Sequence, residues 1–328
     1  MRQPVDRLPL QSNYTPVMGR RLADYFQIAP ENLSERLDNH LLRLDVTYPA
    51  RKSDDGKLTY DWWGAGWDTL TEGLWHSFAP LAHSRNLDDF PWPDPDAPHL
   101  MEAAAAQLAQ DNGRHFVAPN LTMCLFERAW SLRGFESLLM DLVEQPEWVE
   151  ELLDRITEIQ LRVARRFLAL GMDGGYFGDD YGAQRGMLFS PKIWRRLCKP
   201  RLALMFALFR DRGLPVILHS DGDIWAILPD LVEIGLTCLN PVQPEVMEHT
   251  RLYREFGAKI SFYGGISTQT IMPVGTPAEI RDAVLACVQN LAPGGTGLVL
   301  GPSHRMQSDI PVENVDAMLK AFPVATAR

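Results

Sequence analysis

The run Val216-Ile217-Leu218-His219-Ser220-Asp221-Gly222-Asp223 decides how this chain is read. It is short and apolar, and it passes directly into titratable residues. A strand covered on both faces reads as a continuous apolar run instead of alternating in and out. Where helices and such strands alternate, the chemistry gathers beyond the carboxyl ends of the strands. His219 and Asp221 stand at such an end. Two residues apart along a strand, they project to one face.

Working outward, similar runs recur at residues 115–118, 175–178, 238–241, 260–264 and 298–301. Helical patterns separate them. After Pro146, the residues Trp148, Leu152, Ile156, Ile159, Val163, Phe167 and Leu170 recur at three- or four-residue steps, with Gly171 as a stop. Thr276-Pro277-Ala278-Glu279 reads as a capping box ahead of Ile280, Val284, Val288 and Leu291. Ser190-Pro191 opens a third helix, which Pro200 is expected to interrupt. The alternation predicts repeated βαβ units. A candidate strand near residues 44–47, and one more hidden between 115 and 175, would bring the count to the eight of a (β/α)8 TIM barrel. An open doubly wound sheet often carries a Gly-rich turn after its first strand, and none is found there.

The 328 residues are expected to form one domain, residues 1–328. Residues 1–100 read as an irregular N-terminal extension covering the barrel, and 101–328 as the main barrel region. The stiff run Pro91-Trp92-Pro93-Asp94-Pro95-Asp96-Ala97-Pro98 separates the two. Trp62, Trp63, Trp67 and Trp75 crowd the extension and either fill its core or roof the barrel mouth. A net charge of −10 argues against nucleic acid and anionic membranes as partners. No run of apolar residues is long enough to span a bilayer. The opening Met1-Arg2-Gln3-Pro4-Val5-Asp6-Arg7-Leu8-Pro9-Leu10-Gln11 lacks the apolar stretch of a secretory signal. Cys124, Cys198, Cys238 and Cys287 form no CxxC, which suits reduced thiols in the cytoplasm. The oligomeric state stays open, a homo-oligomer included.

The residues that come after the predicted strands are Asp179-Asp180-Tyr181, His219-Ser220-Asp221, Gln243, Ser267-Thr268-Gln269 and Ser303-His304. His219 and Asp221 offer an imidazole nitrogen and a carboxylate oxygen, both metal donors, and His304 is placed to be a third. Asp179 and Asp180 suit acid and base roles, or a cation. The stretch Gly294-Gly295-Thr296-Gly297 precedes its strand and reads as a turn. No G-x-S-x-G, H-E-x-x-H or P-loop occurs, so those hydrolase, zincin and NTPase classes drop out.

Further motifs accompany these residues. They are Phe126-Glu127-Arg128-Ala129-Trp130 with Leu132-Arg133-Gly134-Phe135, then Gly178-Asp179-Asp180 with Gln184 and Ser190-Pro191. His219 to Ile224 leads into Leu228-Pro229-Asp230-Leu231 and Leu239-Asn240-Pro241-Val242-Gln243-Pro244. Tyr263-Gly264-Gly265-Ile266-Ser267-Thr268-Gln269 and Pro302-Ser303-His304 with Ile310-Pro311 complete the set. In these motifs the chain resembles the uroporphyrinogen decarboxylase-like superfamily, over roughly residues 115–320.

The resemblance implies a (β/α)8 barrel and one of several activities, among them the haem-pathway decarboxylation and corrinoid-dependent methyl transfer. Asn13-Tyr14-Thr15-Pro16-Val17-Met18-Gly19-Arg20-Arg21 does not match the arginine-bearing motif of the true decarboxylase, which places the chain nearer the methyltransferase-like branch. Thiol-activating methyltransferases of the superfamily hold zinc with H-x-C and a later Cys. Here His219 and Asp221 take the first two places and His304 lies near the third, a harder ligand set with more net Lewis acidity. The expected activity is transfer of a methyl group from a small O- or N-methylated substrate to a corrinoid, assisted by a divalent metal, zinc first. Asp179 or Asp180 would supply a proton, and Tyr181, Gln243 and Gln269 would contact the substrate. Asp38-x-His40-x-x-Arg43 lacks the glycine of the D-x-H-x-x-G corrinoid signature, so the corrinoid is expected on a separate carrier protein. A cofactor-free decarboxylase of the uroporphyrinogen type and a non-catalytic ligand-binding barrel are the alternatives.

Overall fold

The computed structural model describes residues 6–73 and 75–326. Residues 1–5, part of the stretch inspected for a leader, lie outside the described residues. Seven parallel strands, hydrogen-bonded in sequence order, make one sheet. They are β1 (Leu41–Leu44), β2 (Phe116–Thr122), β3 (Gly175–Gly178), β4 (Val216–His219), β5 (Cys238–Val242), β6 (Ser261–Ile266) and β7 (Leu298–Pro302). The sheet is curled. One compact cluster of Ala118, Tyr176, Ile217, Cys238 and Tyr263, with Leu41, Phe116 and Val299 against it, draws on all seven strands. A flat sheet of that width could not bring the side chains of its first and last strands into one cluster.

The expected eight strands are not all there among the described residues. The interval after β2 holds no hidden strand but three helices, Phe126–Arg133, Phe135–Glu144 and Pro146–Leu170. The last buries Val149, Leu152, Ile156, Ile159, Val163 and Phe167 on one face, the periodicity expected of it, and ends at Gly171 with φ +92°. The predicted strand at 44–47 begins earlier, at Leu41. The helix opened by Ser190 stops at Leu197, and another runs from Lys199 to Arg210 with Pro200 in its first turn.

In the eighth place, between β7 and β1, lies a segment at residues 9–11. Leu300 N–H donates to the Pro9 carbonyl (2.9 Å), Gln11 N–H to the Leu300 carbonyl (3.0 Å) and His40 N–H to the Leu10 carbonyl (3.0 Å). The Gln11 side-chain oxygen accepts Leu41 N–H at 2.8 Å, doing for β1 what a backbone carbonyl would do. The approach is so close that a Cβ on Gly301 would stand 2.0 Å from the Gln11 carbonyl oxygen. The N-terminal hundred residues are therefore more than a cover, because they supply β1 and this seam.

The rest of that region forms an antiparallel sheet of Arg51–Lys52, Leu58–Tyr60, Gly66–Asp68 and His76–Phe78. It is tied to the body by Asp61, which accepts from Arg128 Nη1 at 2.6 Å, and by Glu72, which binds Thr15 and Ser308. The principal hydrophobic cluster runs from Leu8 to Phe322. All four cysteines are buried, and none of them is in a disulfide. No helix among the described residues is long and apolar enough to cross a membrane.

Gly301→Ala should force the seam apart and cost about 1–3 kcal/mol, the usual penalty for overpacking. Native-state hydrogen exchange should show the Gln11 and Leu300 amides losing protection while β3–β5 keep theirs. Unchanged protection at both amides would mean the seam is not held as described.

Candidate functional site

The site begins in the pairing of β4 with β5, which sets His219 opposite Asn240. The imidazole Nδ1–H donates to Asn240 Oδ1 at 2.8 Å, and the Tyr176 hydroxyl donates to the same oxygen at 2.8 Å. Asn240 Nδ2 donates to the Tyr263 carbonyl at 3.2 Å, which determines which end of the amide faces His219. With Nδ1 protonated, Nε2 carries a bare lone pair. That nitrogen lies 3.8 Å from Asp221 Oδ1 and 3.9 Å from Asp180 Oδ1. Asp221 Oδ2 lies 3.5 Å from His304 Nε2. One donor atom from each of His219, Asp221 and His304 thus falls within 4.8 Å of the other two.

Three neutral or anionic donors, two from the end of β4 and one from the segment after β7, spaced this closely, fit a divalent ion. Tetrahedral zinc with bonds of about 2.0–2.1 Å separates its ligands by roughly 3.4 Å, so two of the contacts are already near that value. The Asn240 bond to the far nitrogen of His219 is the kind of outer contact that metal-ligating histidines carry.

Two cavities meet at this point. The inner, of about 440 Å³, is lined by Arg43, Trp67, Met123, Glu127, Trp130, Asp180, His219, Asn240 and Tyr263, among others. The outer, of about 460 Å³, is lined by Asp221, Gln243, Thr268, Gln269 and Asp309, among others. Ser303, His304, Arg305 and Gln307 line both. The three candidate ligands straddle the seam between them. Trp67 lines the inner cavity, as a roofing residue would, whereas Trp63 is buried in core and Trp75 is exposed.

Of the adjacent carboxylates Asp179 and Asp180, only the second reaches the cavity. Consecutive residues at a strand end point opposite ways. Asp179 is fully buried and accepts N–H groups from Leu125 (3.2 Å), Phe126 (2.8 Å) and Glu127 (2.8 Å), holding the start of the helix Phe126–Arg133. Burial pushes its carboxyl up to about 6. Asp180 Oδ1 accepts Asp221 N–H at 2.8 Å, which ties the two strand ends together. Burial, then the charge of Asp221, raise the Asp180 carboxyl.

Tyr181, expected at the substrate, lines neither cavity. It is fully buried, packed against Trp194 with centroids 5.7 Å apart and against Phe126 and Phe189. Gln243 and Gln269 do line the outer cavity. Gln243 Oε1 accepts Gly222 N–H at 3.3 Å, while its buried Nε2 has no partner among the described residues. Gln269 accepts from Gln184 at 3.3 Å.

The residues that sequence reasoning missed are Glu127, Asn240, Arg43 and Arg305. Two carried a visible signal, a polar residue inside an apolar run: Asn240 in Cys238-Leu239-Asn240-Pro241-Val242 and Arg43 in Leu41-Leu42-Arg43-Leu44. Glu127 stands in one of the family motifs, with no role attached to it there. Its carboxyl is raised well above the usual range by burial, then by Asp180 and Asp179.

Two substitutions separate scaffold from site. Asp179→Ala leaves buried N–H donors unpaired and should cost about 2 kcal/mol or more by denaturant unfolding; no measurable loss would refute the capping role. Because Glu127 stays protonated in the fold after the unfolded chain has lost its proton, stability should fall as pH rises above the ordinary value of 4.5. Glu127→Gln should flatten that fall, and an unaltered pH profile of the unfolding midpoint would count against it.

Sequence similarity agrees with this architecture. The uroporphyrinogen decarboxylase (URO-D) family profile matches residues 101–323. No curated protein matches the sequence. Among solved structures, a methyltransferase from Methanosarcina mazei superposes with a TM-score of 0.74 at 19% identity, covering 98% of this chain and 95% of the other. A B12-independent methionine synthase from a Shewanella species, in complex with selenomethionine, gives 0.51 at 11% identity, covering 97% and 96%. At such identities the likeness is one of fold. With its profile matched over more than half its length, the chain belongs to the URO-D family.

Proposed function

We propose that this chain transfers a methyl group from a small O- or N-methylated substrate to a corrinoid on a separate carrier protein. A divalent metal, zinc by the nature of the donors, would be held by His219, Asp221 and His304. The observation that carries the reading is the convergence of those three donor atoms within 4.8 Å at the seam of two cavities. The shared fold lends support to methyl transfer, though not to the corrinoid, since two structural neighbours are, by name, a methyltransferase and a B12-independent methionine synthase. Buried thiols outside any disulfide suit the cytoplasm.

A divalent ion at this position supplies Lewis acidity, drawing charge from the heteroatom that bears the methyl group. The protein's own residues do the rest. Asn240 holds the His219 ring so that Nε2 faces the cavity. Gln243 lines the outer cavity beside Asp221, and its buried Nε2, without a partner among the described residues, would turn to a heteroatom held at the metal. Two cavities allow donor and acceptor to approach from different sides, the methylated substrate within and the carrier from outside. The methyl group leaves without the bonding pair, which stays on the heteroatom and takes up a proton. Asp180 and Glu127 are the carboxyls that line the inner cavity and can supply it, whereas Asp179 is turned away.

Protein purified without chelators should contain about one equivalent of divalent metal and methylate added cob(I)alamin from a methylated donor. His219→Ala should lose the metal and at least ~100-fold in rate, and Asn240→Leu should weaken metal affinity roughly 10–100-fold. Metal-free protein, with His219→Ala as active as the unsubstituted chain, would end the reading. Carbon dioxide release from uroporphyrinogen by such metal-free protein would move the assignment to decarboxylation.

A further inference from the structure

The inner cavity is chemically two-sided. The carboxylates and imidazoles described above occupy one side. Another part of its wall carries two guanidiniums, Arg43 from β1 and Arg305 from the segment after β7. Arg43 points into the curl of the sheet, half-buried, with its Cζ 4.7 Å from the centre of the Tyr176 ring. Arg305 sits at the rim, where both cavities open. Among the described residues neither forms an ion pair with a carboxylate within 4.0 Å. Asp45, a carboxylate whose charge acts on both, accepts from Asn120 Nδ2 at 2.6 Å.

Two like charges held near one another in a partly dry cavity repel, and each has given up hydration. Burial, and after it the charge of Arg43, draws Arg305 below its usual range, whereas for Arg43 burial acts downward but is outweighed by Tyr176, Tyr263 and Asp45, which leave it raised. Such an arrangement is offset when an anion enters, and guanidinium forks match a carboxylate in shape as well as charge.

The same cavity has an apolar wall of Trp67, Met123 and Trp130, which pack in one small cluster. Met123 holds this place with a left-handed backbone, φ +53°. For a residue with a side chain that conformation is strained, and it persists only where the surroundings over-determine it.

We infer that the inner cavity selects a small organic anion, with Arg43 and Arg305 holding a carboxylate and Trp67, Met123 and Trp130 holding the apolar body that joins it to the methylated heteroatom. The reading of the reacting group as a methyl ether or methylamine rests on the proposed function. The anion end does not, and it is measured without turnover.

Calorimetric titration of the full chain with 4-methoxybenzoate and with the neutral 4-methoxybenzamide compares two ligands that differ chiefly in charge. The benzoate should bind at least ~10-fold tighter than the amide. Arg305→Gln, at the rim and unburdened by folding, should lose most of that preference. Arg43→Met should lose it too, and Arg43→Lys should recover part of it. The double variant His219→Ala/His304→Ala should keep the preference while losing metal. Equal affinity for the two ligands, no binding of the benzoate, or an undiminished preference in Arg305→Gln would overturn the inference. A preference that survives alongside a complete absence of methyl transfer would instead sink the proposed function and leave the anion site standing.

Discussion

One hydrogen-bonded layer organises the mouth of this fold, and its centre is the amide of Asn240. That side chain accepts from Tyr176 on β3 and from His219 on β4, and it donates to the Tyr263 carbonyl on β6. Four consecutive strands are thereby linked by side chains as well as by their ladders. Asn13 extends the layer by donating to the Tyr263 hydroxyl at 2.9 Å. Beneath the layer lies the apolar cluster fed by all seven strands, and above it lies the cavity. Each hydrogen bond here works at reduced dielectric, where a satisfied network is rigid and an unsatisfied one is strongly destabilising. The orientation of the His219 ring, and with it the donor atom offered to an ion, is a consequence of that layer.

Charge is segregated in the same region. Glu127, Asp180 and Asp221 are gathered with two histidines at one part of the mouth, and Arg43 and Arg305 line another. Neither group neutralises the other by direct pairing. A chain of net charge −10 has carboxylates in excess over its arginines and lysines, and elsewhere it uses them freely. Arg133, for example, shares Asp141 with Arg85, and Asp230 serves both Arg195 and Lys199. Arg43 and Arg305, by contrast, face the inner cavity with no carboxylate within 4.0 Å among the described residues, the pattern expected when the missing partner is a ligand.

Much of the fold could be read directly. The apolar runs were strands, the three-and-four spacing after Pro146 was a helix of 25 residues, and Thr276 and Glu279 make the capping box their order implies. The strand expected between 115 and 175 is not there, and the place between β7 and β1 is taken by segment 9–11, which has no strand pattern of its own. It is held by bonds on either side and by the absence of a side chain at Gly301. The site was legible in part. His219, Asp221, His304, Gln243 and Gln269 do gather, because all lie just beyond strand ends in a parallel sheet. Asp179 and Tyr181 lie beyond a strand end too, yet they turn away from the mouth, one to a helix terminus and one into the aromatic core.

What the amino-acid order determined by itself was local: which segments are strands, which are helices, and which residues arrive at the carboxyl ends where chemistry is possible. Those outcomes depend on periodicity, capping and proline, all of which act within a few residues. Only the tertiary structure decided which of two neighbouring carboxylates faces the cavity, which nitrogen of His219 is free, and that Arg43 and Arg305 share one wall. These depend on strand register and on the curl of the sheet, which bring residues hundreds of positions apart within a few ångströms. No local pattern encodes such distances.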